Sequence, residues 1–214
     1  MIENSDTCRL DRRKRAIVEA ARDLFVEQGF ERTTLGDIVE RSGGSLATIY
    51  KLFGNKDGLL EAVVFEKASS GETIIVGAQQ GGGTPAQILH RVGNALSAHF
   101  LEPDTVKLVR IVIARSISDA DFARLFFERT ATRTSDALER MFADWQARGI
   151  AMNGDPQMLA EMFLSLFVSD VHAEAVGHGI GIDHSPERLR QRIDFFIAGA
   201  GLVHQLHPGS TPQD

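Results

Sequence analysis

A helix of barely two turns lies between two glycine turns in the stretch RSGGSLATIYKLFGNKDGLL, residues 41–60. So short a helix is marginal by itself in water, and neighbouring elements must therefore hold it in place. The segment before it, TLGDIVERS, is also short and helical in pattern, and Thr34 with Asp37 predicts a capping box at its start. Two short helices joined by a glycine-containing turn predict a helix-turn-helix, with helices over 35–41 and 46–53.

The outward face of the second short helix carries side chains that suit close approach to DNA bases. Ser45 is placed to cap the helix, because its hydroxyl can accept from the amide of Thr48. The groups that remain outside are small or able to form hydrogen bonds, as contacts with base edges in a major groove require. The candidate base-facing residues are Ser45, Leu46, Ala47, Thr48 and Lys51.

Three nearby side chains are candidates for contacts with DNA phosphates. Lys51 and Lys56 supply ammonium groups, and Tyr50 supplies a hydroxyl. The amides that open the next helix add a partial positive charge. Residues 12–15, RRKR, could touch the flanking backbone. Spacing alone leaves one alternative open, which is a solvated helical hairpin in an ordinary bundle.

The charge distribution supports a DNA-facing N-terminal segment on an acidic body. The chain carries a net charge of −6. Residues 9–56 contain ten lysines and arginines against seven acidic residues, which gives this segment +3 and leaves −9 for the rest. A chain of this overall charge does not coat nucleic acid as a polycation would, so any binding must depend on a local surface.

Hydrophobic periodicity predicts helices throughout the chain, about nine in all, and therefore an all-α protein. GGGTP, residues 81–85, is the clearest linker. We expect a three-helix DNA-binding domain over 11–71, with its helix-turn-helix at 34–53, and a larger helical domain over 72–206. The last residues, 207–214, are expected to be disordered.

The sequence around the helix-turn-helix resembles the DNA-binding domain of the TetR family of bacterial transcriptional regulators, in its AcrR-like form. The family motif reads approximately T-T-x-x-x-I-A-x-x-A-G-V-S-x-G-T-L-Y-x-Y-F-x-x-K-x-x-L. The segment AARDLFVEQGFERTT is similar to the family's first helix and its Gly-Phe turn, so the resemblance covers about residues 11–70. The residues that match the motif in register are Thr33, Thr34, Ile38, Gly43, Ser45, Thr48, Tyr50, Phe53, Lys56 and Leu59.

The resemblance implies roles for these residues and exposes two departures. Thr34 and Tyr50 are expected at phosphates, with Lys56 beside them, and the base-facing positions are the ones given above. Gly44 stands where the family usually has a packed valine, which loosens the turn. Leu46 stands where a basic or polar residue is common, and an apolar contact to a thymine methyl is an option there.

The resemblance also implies a homodimer in which the last two helices of each subunit form a four-helix interface. A dimer of this kind reads a near-palindromic operator with half-sites about 34 Å apart. The last two long helices are rich enough in apolar residues to supply both an interface and a core, and about half of those residues must serve the core. The candidate interface residues are Met162, Phe163, Phe167, Phe195, Phe196 and Gly199.

The family resemblance further implies that the body binds a small molecule that lowers DNA affinity, most simply in a repressor. The segment VRIVIARSISDADFARLFFERTATR resembles the variant found in some repressors related to efflux-pump control. Thirteen phenylalanines would suit an apolar or aromatic effector, although they suit a core equally well. The candidate pocket residues, chosen as polar groups in apolar contexts, are Asn94, His99, Arg110, Ser165, Ser169 and His172.

Other interpretations of the sequence remain open or are weak. A metal-responsive regulator would use the loop over 170–184, whose candidate ligands Asp170, His172, His178, Asp183 and His184 match no short metal motif. A regulator without a small-molecule effector is a second alternative. No glycine-rich phosphate loop or catalytic motif occurs, so we expect no enzyme and no cofactor. A single cysteine, Cys8, and the lack of a signal-peptide pattern lead us to expect a cytoplasmic protein.

Overall fold

The computed structural model describes residues 3–128, 132–179 and 182–203, and it describes side chains from Cys8 onward except that of Ala68. Within these ranges the chain is all helical, as the periodicity predicts, and no described helix is long and apolar enough to cross a membrane. The helices are α1 (Glu3–Gln28), α2 (Leu35–Ser42), α3 (Leu46–Phe53), α4 (Lys56–Gln80), α5 (Pro85–Phe100), α6 (Pro103–Ser118), α7 (Ala120–Phe126), α8 (Thr132–Ala147), α9 (Pro156–Gly177) and α10 (Pro186–Gly199).

The described ranges contain ten helices where the sequence predicts about nine. The difference arises over residues 119–149, which the periodicity presents as one stretch and which form α7 and α8. Asp119 caps α7, because its carboxylate accepts from the amide of Phe122 at 3.0 Å. The predicted disordered tail, 207–214, lies outside the described residues.

The chain divides into two compact units. One comprises Met1–Lys67 with Arg110–Thr130, and the other comprises Ala68–Val109 with Ala131–Asp214. The N-terminal unit therefore contains the second half of α6 and α7 in addition to the helix-turn-helix. Sequence patterns do not predict that these helical segments belong to the N-terminal unit. About 40 residues separate them from Lys67, and local patterns carry no information about contacts over that distance.

In the first unit, the predicted apolar stripe of α1 forms the base on which the short helices pack. Its five members, Ile17, Ala20, Ala21, Leu24 and Phe25, are all buried. Gly29 ends the helix in the left-handed region with φ 86°, as the sequence predicts. Ile38 of α2 and Ile49 of α3 are fully buried in turn, so each short helix is held by one central isoleucine.

In the second unit, α8 packs along α9, and α5 packs against α9 and α10. Aromatic rings form the centre of this core. The ring of Phe163 lies 5.2 Å from that of Phe167 and 5.0 Å from that of Phe196, and Phe142 extends the cluster to Trp145 at 5.5 Å. Tilted and edge-on ring pairs at these separations add to the stabilisation from burial.

Candidate DNA-binding site

The start of α2 is fixed by a capping box at Thr34. The backbone amide of Thr34 donates to Asp37 Oδ2 at 2.9 Å, and the amide of Asp37 donates to Thr34 Oγ1 at 3.2 Å. The donation from the Thr34 amide holds the pKa of the Asp37 carboxyl below its usual range. The Thr34 hydroxyl accepts from the Asp37 amide and also interacts with the Asp37 carboxylate, so Thr34 and Asp37 fix each other at the start of α2. The predicted cap is thus confirmed.

The turn between α2 and α3 is built on Gly43 and held from α1 by Arg13. Gly43 adopts φ 69° and ψ 40°, and its amide donates to Val39 O at 2.9 Å, which ends α2. The guanidinium of Arg13 donates to the carbonyl of Gly43 and to Ser42 O at 3.5 Å. A Cβ added at Gly44 would lie 3.9 Å from Arg13 Nη1, so an arginine flanks the turn at the position where the family usually packs a valine.

Helix α3 presents one face inward and a mixed face outward. Ser45 Oγ accepts from the amide of Thr48 at 3.2 Å, as the sequence predicts, and the two hydroxyl oxygens lie 3.0 Å apart. Leu46 and Tyr50 are 46% and 56% exposed, and Ala47 and Lys51 are also exposed. The outward face of α3 therefore carries two apolar side chains, one lysine and one phenol, and Ser45 caps the N-terminus of the helix.

The junction of α3 and α4 depends on two glycines, Gly54 in the predicted turn and Gly58 at the start of α4. Gly54 turns the chain with φ 76°, and Asn55 Oδ1 then caps α4 by accepting from the amide of Gly58 at 2.8 Å. A Cβ at Gly58 would collide with the backbone oxygen of Phe53. Gly58 thus allows α4 to start directly against the end of α3.

Gly58→Ala is expected to lower the free energy of unfolding by about 1–3 kcal/mol, because the added methyl forces α4 away from the Phe53 carbonyl. Gly77→Ala is the matched control on the same helix, since nothing lies within 4 Å of a Cβ there. That change should be neutral or stabilising by up to about 1 kcal/mol, because alanine is the better helix former. Urea unfolding of both variants tests this, and equal effects would contradict the assignment.

Lys56 is bound to the protein and does not point into open solvent. Its Nζ donates to Phe30 O at 2.9 Å, Thr33 O at 3.1 Å and Glu31 O at 3.5 Å, and it lies 4.3 Å from the centre of the Phe30 ring. These contacts occupy the three ammonium donors. The prediction that Lys56 meets a phosphate is therefore revised, and we assign it to holding the α1–α2 loop against the start of α4.

Lys56→Met should lower the free energy of unfolding by about 2 kcal/mol, because the carbonyls lose charged donors while the aliphatic stem is kept. Lys51→Met is the matched control. Its side chain is exposed on α3, so stability should change by less than about 0.5 kcal/mol while DNA affinity falls. Denaturation curves and DNA titrations of both variants separate the two roles, and an unchanged stability in Lys56→Met would contradict the revision.

The side chain of Arg115 joins α6 to α4 inside the first unit, and the sequence patterns do not predict this contact. Arg115 forms ion pairs with Asp57 at 2.8 Å and with Asp119 at 3.3 Å. Its guanidinium lies 5.6 Å from the Phe30 ring and 5.7 Å from the Phe122 ring. Beside it lies an open groove of about 440 Å³ between residues 28–32 and α6. Arg115 thus attaches α6 to the α1–α2 loop, which Lys56 also holds.

Comparison with known families covers both parts of the chain. Residues 17–63 match the model for bacterial regulatory proteins of the tetR family. Residues 87–198, more than half of the chain, match the model for the C-terminal domain of AefR-like transcriptional repressors. The chain belongs to the TetR family. It is accordingly a transcriptional regulator with a helix-turn-helix DNA-binding domain, and the comparisons indicate a regulator and not an enzyme.

Individual relatives agree with this family assignment. A TetR-family regulator of known structure from Mesorhizobium loti is 24% identical, with a TM-score of 0.75 over 89% of this chain and 97% of that one. The flavonoid-responsive regulator FrrA is 26% identical, with a TM-score of 0.65 over 88% of this chain and 96% of that one. The regulator HbdR of Aromatoleum is 26% identical over 81% of this chain and 73% of its own.

Some curated relatives match over a shorter stretch of the chain. YvkB of Bacillus subtilis is 39% identical over 59 residues, which span 31% of that protein. The repressor ComR of Escherichia coli is 43% identical over 49 residues, or 23% of its length. The chain thus matches about a quarter to a third of the length of these relatives.

The candidate pocket residues of this TetR-family protein are mostly exposed. Asn94, Ser165, Ser169 and His172 are all exposed, and the two serine hydroxyls donate to backbone carbonyls of their own helix. Exposed side chains do not line an internal pocket, so the prediction is corrected for these four. The remaining two, His99 and Arg110, are half-buried.

The candidate interface residues divide into two groups. Phe163, Phe167 and Phe196 are buried in the aromatic core of their own subunit, so a second subunit cannot cover them, and the prediction is corrected for these three. Met162, Phe195 and Gly199 are exposed, with Phe195 at 83%. The candidate interface therefore narrows to the exposed residues.

Three of the rejected pocket residues share the outer face of α9 with exposed apolar side chains. Steps of three and four residues place them on one side of the helix. We call this surface the α9 outer face, and it consists of Met158, Met162, Ser165, Ser169, His172 and Val176. Arg192 of α10 reaches this face, with its guanidinium 2.6 Å from Asp170 Oδ2 and 3.5 Å from Ser169 Oγ. Phe195 lies one turn further along α10.

Proposed function

We propose that this TetR-family regulator is a homodimeric repressor that binds a near-palindromic operator and leaves it when a small molecule binds. The observation that carries the DNA-binding part is the outward face of α3, held by Ser45, Ile49 and the turn glycine Gly43. A cytoplasmic location belongs to the same proposal, because a DNA-binding regulator acts where the chromosome is.

The proposed phosphate contacts lie on both sides of α3. Thr34 carries its hydroxyl at the N-cap of α2, and Tyr50 carries an exposed phenol on α3. Lys51 adds an exposed ammonium on the same helix. Such groups position a recognition helix in the major groove without reading the sequence. The proposed base contacts come from Ser45, Leu46, Ala47, Thr48 and Lys51.

The proposed dimer uses the α9 outer face together with Phe195 of α10. Phe195 is 83% exposed on α10, and Met162 and Val176 are exposed on α9, so both helices carry apolar side chains that a second copy would cover. The small residues Ser165 and Ser169 between them let two helices approach closely. A twofold axis repeats each contact, so this one surface serves both subunits.

The proposed effector is an apolar or aromatic small molecule. FrrA, a relative of similar fold, is described as flavonoid-responsive, and the C-terminal match is to AefR-like repressors. The effector must bind the DNA-incompetent arrangement of the dimer more tightly than the competent one, or it shifts no population. We assign no residue to its site.

Two alternatives differ only in the effector. For a metal-responsive regulator, the described residues contain no group of three or more His, Cys, Asp or Glu side chains that could hold an ion. Asp170 is paired with Arg192, and His184 lies 3.3 Å from Glu174. A regulator without an effector would show no thermal shift with any compound, whereas a bound effector raises the melting temperature.

Tyr50→Phe tests the DNA-binding part of the proposal. Loss of a hydroxyl that donates to a phosphate is expected to weaken binding about tenfold, and by the same factor on an operator and on unrelated DNA. Fluorescence anisotropy titrations at one fixed salt concentration give both constants. An unchanged affinity would remove Tyr50 from the interface, and a loss confined to the operator would assign it to base reading instead.

A further inference from the structure

Leu46 is the first residue of α3 and its side chain is 46% exposed. A single exposed leucine is ordinary on a protein surface, so exposure alone says little. The position is informative, because the N-terminal residues of a recognition helix are the ones that approach base edges in the major groove. Ala47, the next residue, is also exposed and adds a methyl group.

The neighbouring hydroxyls can donate little to base acceptors, while their oxygens keep lone pairs for base donors. Ser45 Oγ accepts from the Thr48 amide, and the Ser45 and Thr48 oxygens share a further hydrogen bond at 3.0 Å. The two hydroxyls bring two protons, and their mutual bond uses one of them. At most one hydroxyl proton therefore faces the DNA from this end of the helix, beside the bulk of Leu46.

Thymine presents a 5-methyl group in the major groove, and the other three bases have none. We propose that Leu46, supported by Ala47, packs against the 5-methyl group of a thymine in each operator half-site and so selects thymine at that position. This inference rests on the proposed DNA binding and names what its recognition helix reads. The residue that departs from the family pattern thereby becomes a determinant of sequence preference.

Replacement of thymine by uracil isolates the methyl group, because uracil keeps the pairing and the O4 acceptor. An operator is first selected from random DNA, and its thymines are then replaced by uracil one position at a time, in both half-sites together. Loss of one buried methyl should weaken binding about fourfold per half-site and about 15-fold for the pair. One position is expected to show this loss.

Leu46→Ala is measured with the same duplexes. Together with the uracil replacement it forms a double-mutant cycle, in which the leucine side chain and the thymine methyl are removed separately and together. This variant should bind the thymine operator about 15-fold more weakly than the unaltered protein, and it should bind the uracil operator within about twofold of the thymine operator. Leu10→Ala is the matched control, because Leu10 is a leucine of α1 with 47% exposure. That control should keep the full thymine-to-uracil ratio.

The outcomes separate this inference from the proposal beneath it. Failure to select any operator overturns both. An operator that binds tightly but contains no thymine in its half-sites, or that tolerates uracil at every position, overturns the role of Leu46 and leaves the DNA-binding function intact. A thymine-to-uracil ratio that persists in Leu46→Ala overturns it as well. Tolerance of uracil at every position by the unaltered protein overturns the role of Leu46 even if the variant proves unstable.

Discussion

Phe195→Glu is expected to convert the proposed dimer into a monomer and to lower operator affinity by about 100-fold or more. Phe195 is 83% exposed on α10, and the proposed interface would bury it. A central aromatic residue typically contributes about 2–4 kcal/mol to an interface, and the twofold axis makes one substitution count twice. A buried glutamate adds a desolvation cost. Sedimentation at micromolar concentration and an operator titration give the two readouts.

Phe127→Glu is the control for this change. Phe127 is also an exposed phenylalanine, at 59%, but it belongs to the N-terminal unit and lies outside the α9 outer face. The Phe127→Glu substitution should leave the oligomeric state unchanged. A Phe195→Glu protein that sediments as a dimer would contradict the proposed interface, whatever its affinity for DNA.

Phe163→Ala is expected to lower the free energy of unfolding by about 3–5 kcal/mol. The ring is fully buried and lies within 5.2 Å of the rings of both Phe167 and Phe196, so its removal leaves a cavity among aromatic neighbours. A loss of this size is a large part of the stability of an ordinary domain. The single tryptophan, Trp145, lies in the same core and reports the transition by its fluorescence.

Phe127→Ala serves as the comparison, since removal of an exposed ring should cost less than about 1 kcal/mol. Both variants are compared at one protein concentration, because the proposed dimerisation would make apparent stability depend on concentration. A loss below about 1 kcal/mol in Phe163→Ala would place this residue outside the core and return it to the candidate interface.

The sequence predicts the helix-turn-helix well because its signals are local. Thr34 with Asp37, Gly43, and Ser45 each act within about four residues, and the structure confirms all of these caps. The apolar stripe of α1 is predicted equally well, because a long helix with one buried face repeats its apolar residues with the helical period of about 3.6 residues. Spacing alone does not distinguish a DNA-binding helix-turn-helix from an ordinary helical hairpin, and the family resemblance supplies the functional interpretation.

The sequence predicts the roles of α9 and α10 poorly because each helix carries apolar side chains outside its buried face. Phe195 and Phe196 are adjacent and chemically identical, yet one is 83% exposed and the other is in the core. Periodicity cannot assign a core face when exposed apolar residues also lie outside that face. The same ambiguity placed Ser165 and Ser169 in a pocket.

Contacts between distant segments could not be predicted from local patterns. Lys56 binds carbonyls more than 20 residues earlier in the chain, and Arg115 pairs with Asp57 across 58 positions. Arg13 reaches the turn at Gly43 from α1. A basic residue in a DNA-binding domain suggests a phosphate contact, and only the fold shows that a carbonyl can take its place.

Selection of bound sequences from random DNA tests whether the protein recognises an operator as a dimer, and it does so without a known operator. We predict strong enrichment of two inverted half-sites whose centres lie about 34 Å, or one helical turn, apart or a multiple of that distance. Enrichment of a single half-site without symmetry would contradict the dimer. The absence of any enriched sequence would contradict operator recognition itself.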